Sequence, residues 1–196
     1  MSDLLLSRNI AAAHESLKQM EALAPTAEAA AQALAQALLA GNKLLACGNG
    51  GSAADASHMT TEFVVRFNRD RRPYPALSFA TNGGDITAIG NDYEFNDLFS
   101  RQVHAFGKKG DVLIALTTSG KSENVRRALV EAKQLGVITI SLLGRDGGLC
   151  AGLADFELIV RDNVTARIQE GHKLLIHTIC ERVEELFLAA EKGAEK

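Results

Sequence analysis

Along the chain, short apolar runs alternate with stretches whose apolar residues recur at helical spacing. Residues 3–22 predict an amphipathic helix, with Leu5, Ile10, Leu17 and Met20 near one face. Pro25 and Thr26 mark a break, and an alanine-rich helix over 26–40 ends at Gly41. So much alanine predicts close packing, on the chain's own sheet or on another subunit. A helical pair ahead of the core also suits oligomer contacts. Apolar runs at 43–46, 76–79, 111–116, 137–142 and 156–160 read as strands. The run from Asp111 to Leu116 carries apolar residues at successive positions, so burial on both faces is expected. Helices are predicted over 52–67, 85–90, 95–106 and 122–135, the middle two flanking a Gly90-Asn91-Asp92 loop. A last long helix over 165–191 has Ile168, Leu175, Ile176, Ile179, Val183 and Leu186 as apolar positions, and the tail 193–196 is expected to fray.

Strands alternating with helices predict a doubly wound α/β fold: a five-stranded parallel sheet flanked by helices, with an N-terminal helical pair. No linker or composition shift divides residues 1–196, so they read as a single domain. In such sheets ligands sit beyond the carboxyl ends of the strands, which puts the turns after the first and third strands on one rim.

The 196 residues are 46% hydrophobic and 23% charged, an ordinary globular balance. A net charge of -3 leaves no basic footprint for nucleic acid or for a membrane surface. Trp is absent and aromatics are few, which argues against a base-stacking platform. Cys47, Cys150 and Cys180 lack CxxC spacing and read as buried thiols of a reducing compartment. The start of the chain has no signal-peptide pattern, and no apolar run nears the ~20 residues of a membrane span. A cytoplasmic protein is expected.

Two turns carry the candidate chemistry. The first, Cys47-Gly48-Asn49-Gly50-Gly51-Ser52, joins a buried strand to a helix. Free N–H groups at such a helix start, with the helix dipole, favour an anion, most often a phosphate. Its glycines let the backbone approach a ligand and adopt positive φ, and Ser52 can cap the helix. Three glycines in four positions make a plain tight turn the weaker reading. The second turn, Thr117-Thr118-Ser119-Gly120-Lys121-Ser122, puts four hydroxyls around one glycine. One serine would satisfy a helix cap; this many hydroxyls make a neutral cradle for a phosphate monoester. Walker A spacing is missing. The first turn also fits G-x-G-x-x-A through Gly48, Gly50 and Ala53. The next strand, however, ends Phe79-Ala80-Thr81-Asn82, without the acid that a dinucleotide ribose wants. A sugar phosphate explains the two turns better.

His58 and Glu62, four positions apart, share a helix face and can hold a metal or work as an acid/base pair. Taken alone, such a pair is more often a plain contact. Gln169, Glu170, His172 and His177 gather on the last helix. Most His residues on such helices are structural, and Glu170 reads as a solvated or paired charge. Gln169 and His177 stand about 12 Å apart along a straight helix and roughly 80° around it. Geometry alone therefore pairs Gln169 with His172, although Gly171 allows for a bend. Gln is also a poor zinc ligand.

The segments CGNGGSAADASHMTTEF, Gly90-Asn91-Asp92, TTSGKSENV, GRDGG and ARIQEGHKLLIH together resemble the sugar isomerase (SIS) domain family, and within it the bacterial phosphoheptose isomerases. The resemblance covers almost the whole chain. It implies a homotetramer that converts sedoheptulose 7-phosphate to D-glycero-D-manno-heptose 7-phosphate, toward the lipopolysaccharide of the cell surface. It implies substrate contacts from Asn49, Gly50, Gly51, Ser52, Asn91, Asp92 and Gln169, and a phosphate cradle from Thr117, Thr118, Ser119 and Ser122. Glu62 matches the family's catalytic base, which also touches substrate, and His177 its acid. His58, Glu62, Gln169 and His177 match positions that bind one zinc per subunit. Thr117 stands where many members have Ser, and Ala166 where some have Asp. A non-catalytic relative that binds the replication initiator lacks the base and the acid; Glu62 and His177 are both present here, which favours the enzyme.

Overall fold

The computed structural model describes residues 4–194, with side chains through residue 191. The apolar runs become β1 (Leu44–Gly48), β2 (Ala76–Ser78), β3 (Val112–Thr117), β4 (Ile138–Gly144) and β5 (Phe156–Val160). They form one parallel sheet in the order β2-β1-β3-β4-β5. The helices are α1 (Leu5–Gln19), α2 (Ala24–Leu39), α3 (Gly51–Val64), α4 (Gly83–Asp92), α5 (Leu98–Phe106), α6 (Glu123–Gln134) and α7 (Thr165–Ala194). The expected doubly wound sheet with an N-terminal helical pair is therefore present.

Successive strand residues point to opposite faces, so continuous apolar runs build two cores at once. On one face Leu44, Ala46, Val112, Ile114, Leu116, Ile140 and Leu142 pack under α2, α3 and α7. On the other face Leu45, Cys47, Leu113, Ala115 and Leu143 pack under α5 and α6. The alanine-rich α2 uses its small side chains at home: Ala30, Ala31, Leu34, Ala35 and Leu38 are buried within this chain. It is α1 that leaves Leu4, Leu5, Leu6 and Ile10 exposed.

Several boundaries differ from the sequence expectation. The N-terminal pair breaks at a 3₁₀ turn, Met20–Leu23, and Pro25 sits in the first turn of α2, where its missing N–H costs no bond. Gly90, Asn91 and Asp92 are not a loop; they complete α4. Asn82 starts that helix early, its Oδ1 accepting from the N–H groups of Gly84 (3.0 Å) and Asp85 (3.4 Å). Gly193 and Ala194 continue α7, and the remainder of the tail expected to fray lies outside the described residues. Among the described residues no helix is long and apolar enough to cross a membrane.

Asp111 lies one residue ahead of β3 and is fully buried. Its carboxylate accepts from the Lys43 N–H (3.0 Å) and the Lys108 N–H (2.9 Å), and pairs with Lys43 Nζ (2.5 Å). It thus fastens the start of β1 to the start of β3. Asp111→Ala strands those donors and should cost about 2–4 kcal/mol of stability by urea denaturation. A loss under about 1 kcal/mol would show that water replaces the carboxylate without penalty.

Candidate active site

The two turns meet at the carboxyl rim because β1 and β3 are neighbours, with Gly48 opposite Leu116. In the first turn Gly50, not Ser52, holds the cap position of α3, at φ 55° and ψ −121°. An L side chain rarely adopts that backbone. Ser52 is a buried helical residue, and no side chain caps the helix. In the second turn the expected hydroxyls converge. Thr117 Oγ1 lies 3.0 Å from Ser122 Oγ and 3.4 Å from Ser119 Oγ, and Ser119 Oγ accepts from the Lys121 N–H at 3.1 Å. Thr118 is half-buried beside them. Gly120 (φ +65°) is packed against the backbone of Gly147 and Gly148 so closely that a Cβ would overlap it. Glu123, next to the cradle, is held by Arg126 and then Arg127, which pull its carboxyl down to about 2.

A residue that sequence reasoning passed over ties the two turns together. Asn49 and Asn124 exchange reciprocal side-chain hydrogen bonds, each 2.9 Å, and Asn124 Oδ1 also accepts from the Val125 N–H at 2.9 Å. Asn124 stands inside the TTSGKSENV segment, but nothing in its spacing names a partner some 75 positions away.

The second half of the site lies between α3 and α7, which run side by side in the same direction. A Cβ on Gly51 would overlap Gln169 Nε2, Asp55 pairs with Lys173 at 2.6 Å, and His58 Nε2 lies 3.3 Å from His177 Nε2. This register explains the wide spacing of Gln169 and His177: each meets α3 at a different turn. His58 Nε2 also lies 3.1 Å from Glu62 Oε1. Glu62 and His177 therefore both rest against a single ring nitrogen, and one proton on it can serve either. The Phe67 ring covers His177, with centroids 5.9 Å apart.

His172 does not pair with Gln169. It is buried, with Nε2 3.0 Å from the Leu143 carbonyl oxygen, and burial lowers its pKa. Glu170 is taken up by Arg167 at 2.5 Å. Asn91 and Asp92 are exposed at the end of α4, hydrogen-bonded to each other at 2.7 Å. Among the described residues no hydrogen bond or ion pair joins them to the rest of the candidate site.

Glu184 and Arg71 also escaped sequence reasoning. The buried Glu184 carboxylate accepts from the N–H groups of Phe67 (3.2 Å), Asn68 (3.0 Å) and Arg69 (3.0 Å), and Arg71 Nε stands 3.5 Å from it. Arg71 in turn donates to the carbonyls of Glu62 (2.5 Å) and Phe63 (3.1 Å). The carboxylate on α7 thereby fixes the end of α3 that carries Glu62.

The expected zinc set is only partly assembled. Donor atoms around one tetrahedral zinc stand about 3.3 Å apart, given bonds of about 2.0–2.2 Å. The His58–His177 and His58–Glu62 spacings match that edge. Gln169 instead meets α3 about two turns earlier, at Gly51. Among the described residues no group of three or more His, Cys, Asp or Glu side chains forms a metal-binding cluster.

Asn124→Ala removes both bonds to Asn49 and frees the first turn. It should cost about 1–3 kcal/mol in chemical denaturation and weaken inorganic phosphate binding. Unchanged phosphate affinity would show that the two turns are positioned without this pair.

The SIS domain family matches residues 9–144 of the chain. A phosphoheptose isomerase from Shewanella loihica is 48% identical over 177 residues, covering 89% of this chain and 90% of its own. One from Geobacter sp. is 52% identical over 167 residues, covering 85% and 87%. The structure of a phosphoheptose isomerase from Neisseria gonorrhoeae superposes with a TM-score of 0.85 at 40% identity, over 92% of this chain and 97% of that one. The SIS domain match includes both turns, and the chain belongs to the phosphoheptose isomerases of the SIS domain family.

Proposed function

We propose that the chain isomerises sedoheptulose 7-phosphate to D-glycero-D-manno-heptose 7-phosphate. The observation that carries this reading is the meeting of Glu62 and His177 on one nitrogen of His58. Aldose–ketose isomerisation moves a proton between adjacent carbons through an enediol. Glu62 takes the C1 proton of the ketose and returns it to C2. His177 exchanges protons with the two oxygens, donating to the carbonyl as the carbon-bound proton leaves. His58 orients both groups through its shared nitrogen. The hydroxyls of Thr117, Thr118, Ser119 and Ser122 bind the phosphate, and that remote binding energy fixes the sugar. Both general acid and general base are present, so the replication-initiator reading is not favoured.

Glu62 lies eleven residues beyond Gly51 on α3, about 16 Å along the axis and away from the rim. Cradle and acid/base pair therefore occupy opposite ends of one helix. A homotetramer, in which the cradle of one chain faces the pair of a neighbour, reconciles them. The exposed apolar residues of α1 and the exposed end of α4 bearing Asn91 and Asp92 support such contacts. The reading also places the enzyme in the cytoplasm, supplying heptose for lipopolysaccharide.

For zinc, we propose His58, Glu62 and His177 as the holders, with Gln169 left to the substrate; two of the three edges already match, and the set is not assembled ahead of the metal. When bound, the metal would polarise the carbonyl and stabilise negative charge on the enediolate. Zinc should raise the thermal midpoint of the wild-type chain and leave that of His58→Ala unmoved. An equal shift in both would place the metal elsewhere.

Glu62→Gln should still bind sedoheptulose 7-phosphate in calorimetry and lose turnover by about 10²–10⁴-fold in product analysis. Normal isomerisation by that variant would remove Glu62 as the base, and a wild-type chain that leaves the sugar unchanged would remove the reading.

A further inference from the structure

A cavity of about 440 Å³ opens beside the phosphate cradle, lined by Lys121, Arg145, Asp146, Arg161, Asp162 and Asn163. Its volume falls within the range of small-molecule sites. Arg145 follows β4 and Arg161 follows β5, so the cavity lies at the carboxyl rim, where ligands of such sheets bind. None of the three cations has a side-chain hydrogen bond or ion pair among the described residues. Both carboxylates, by contrast, are occupied with backbone. Asp146 Oδ1 accepts from the Gly148 N–H at 3.0 Å, and Asp162 Oδ1 from the Val164 N–H at 2.8 Å. The Val164 bond is the chief reason the Asp162 carboxyl is held below its ordinary value. Three cations without side-chain partners thus line the cavity with two ionised carboxylates that each hold one backbone N–H, leaving a net positive lining.

Arg145 is held in place at a cost. It is the only non-glycine among the described residues with positive φ, at 61°. Its N–H donates to the Val160 carbonyl at 3.0 Å, which fastens the turn after β4 to the end of β5. An arginine in that conformation is unfavourable unless the surroundings fix it. The same turn carries Gly147 and Gly148, against which Gly120 of the cradle is packed.

We propose that this cavity is a second anion site, distinct from the hydroxyl cradle of Thr117, Thr118, Ser119 and Ser122 although Lys121 of the same turn reaches it, and that it binds a ligand carrying two linked phosphates. One phosphate suits one arginine fork; two forks and an ammonium around one cavity suit a diphosphate. The site does not depend on the isomerase reading, because binding alone reports on it.

The test is calorimetric titration of the full chain with inorganic pyrophosphate, in the absence of sugar. Ser119→Ala/Ser122→Ala should keep a pyrophosphate site of wild-type affinity, because the cradle is not that site, and should lose only any separate binding event that the cradle itself contributes. Arg145→Gly/Arg161→Gln should bind at least tenfold more weakly. Glycine suits φ 61° and preserves the turn, which an unchanged thermal midpoint would verify. If the pair does not fold, Arg161→Gln and Lys121→Gln singly should each weaken binding about threefold. No binding by wild type, loss only in the cradle variant, or full affinity in the arginine variants would each overturn the proposal.

Discussion

The parallel pairing of β1 with β3 is the constraint on which the anion-binding half of the molecule depends. Its register sets Leu44 against Val112 and Gly48 against Leu116, so the two strands end together. Each then hands its chain to a turn rich in small or hydroxylated residues and to a helix start. Both turns must therefore open on one rim, and the Asn49–Asn124 amide pair locks them side by side. The buried Asp111 does the same at the opposite end of these strands. Two long-range polar clamps thus hold the two ends of a largely apolar pair of strands.

The half that carries Glu62 and His177 depends on a different contact. Helices α3 and α7 leave neighbouring parts of the fold in the same direction, and they touch at Gly51–Gln169, Asp55–Lys173 and His58–His177. A side chain larger than hydrogen at Gly51 would displace the Gln169 amide from the top of this ladder. At its foot, Glu184 holds the Phe67–Arg69 backbone and, through Arg71, the carbonyls of Glu62 and Phe63. Glu62 and His177 thus lie on helices that are tied together above and below them.

The layered fold was legible because the strands are continuous apolar runs and the glycines fall where strands turn into helices. β5 and the start of α7 match the expectation residue for residue. The cradle was legible for the same local reason: its hydroxyls sit within six positions. What escaped was long-range. Asn124, Glu184 and Arg71 act across distances in sequence that no spacing encodes. The helix at Gly83–Asp92 was expected only over 85–90; the Asn82 cap starts it earlier, despite two glycines in its first turn, and it runs on through Asp92. The placement of Gln169 on the same metal as His177 came from resemblance, whereas the helix register sets it against Gly51. The sequence left open where the pair lies relative to the cradle: α3 carries Glu62 away from the rim on which the two turns open.

The account therefore rests on a sugar phosphate gripped by one chain and deprotonated by another. Mixing two inactive variants tests this directly. Ser119→Ala/Ser122→Ala lacks the cradle and Glu62→Gln lacks the base, so neither alone should turn over sedoheptulose 7-phosphate. After co-refolding in equal amounts, random assembly should restore about a quarter of wild-type activity, because some sites join an intact cradle to an intact Glu62. A mixture as inactive as its parents would mean that cradle and base must belong to the same chain, and would contradict the account.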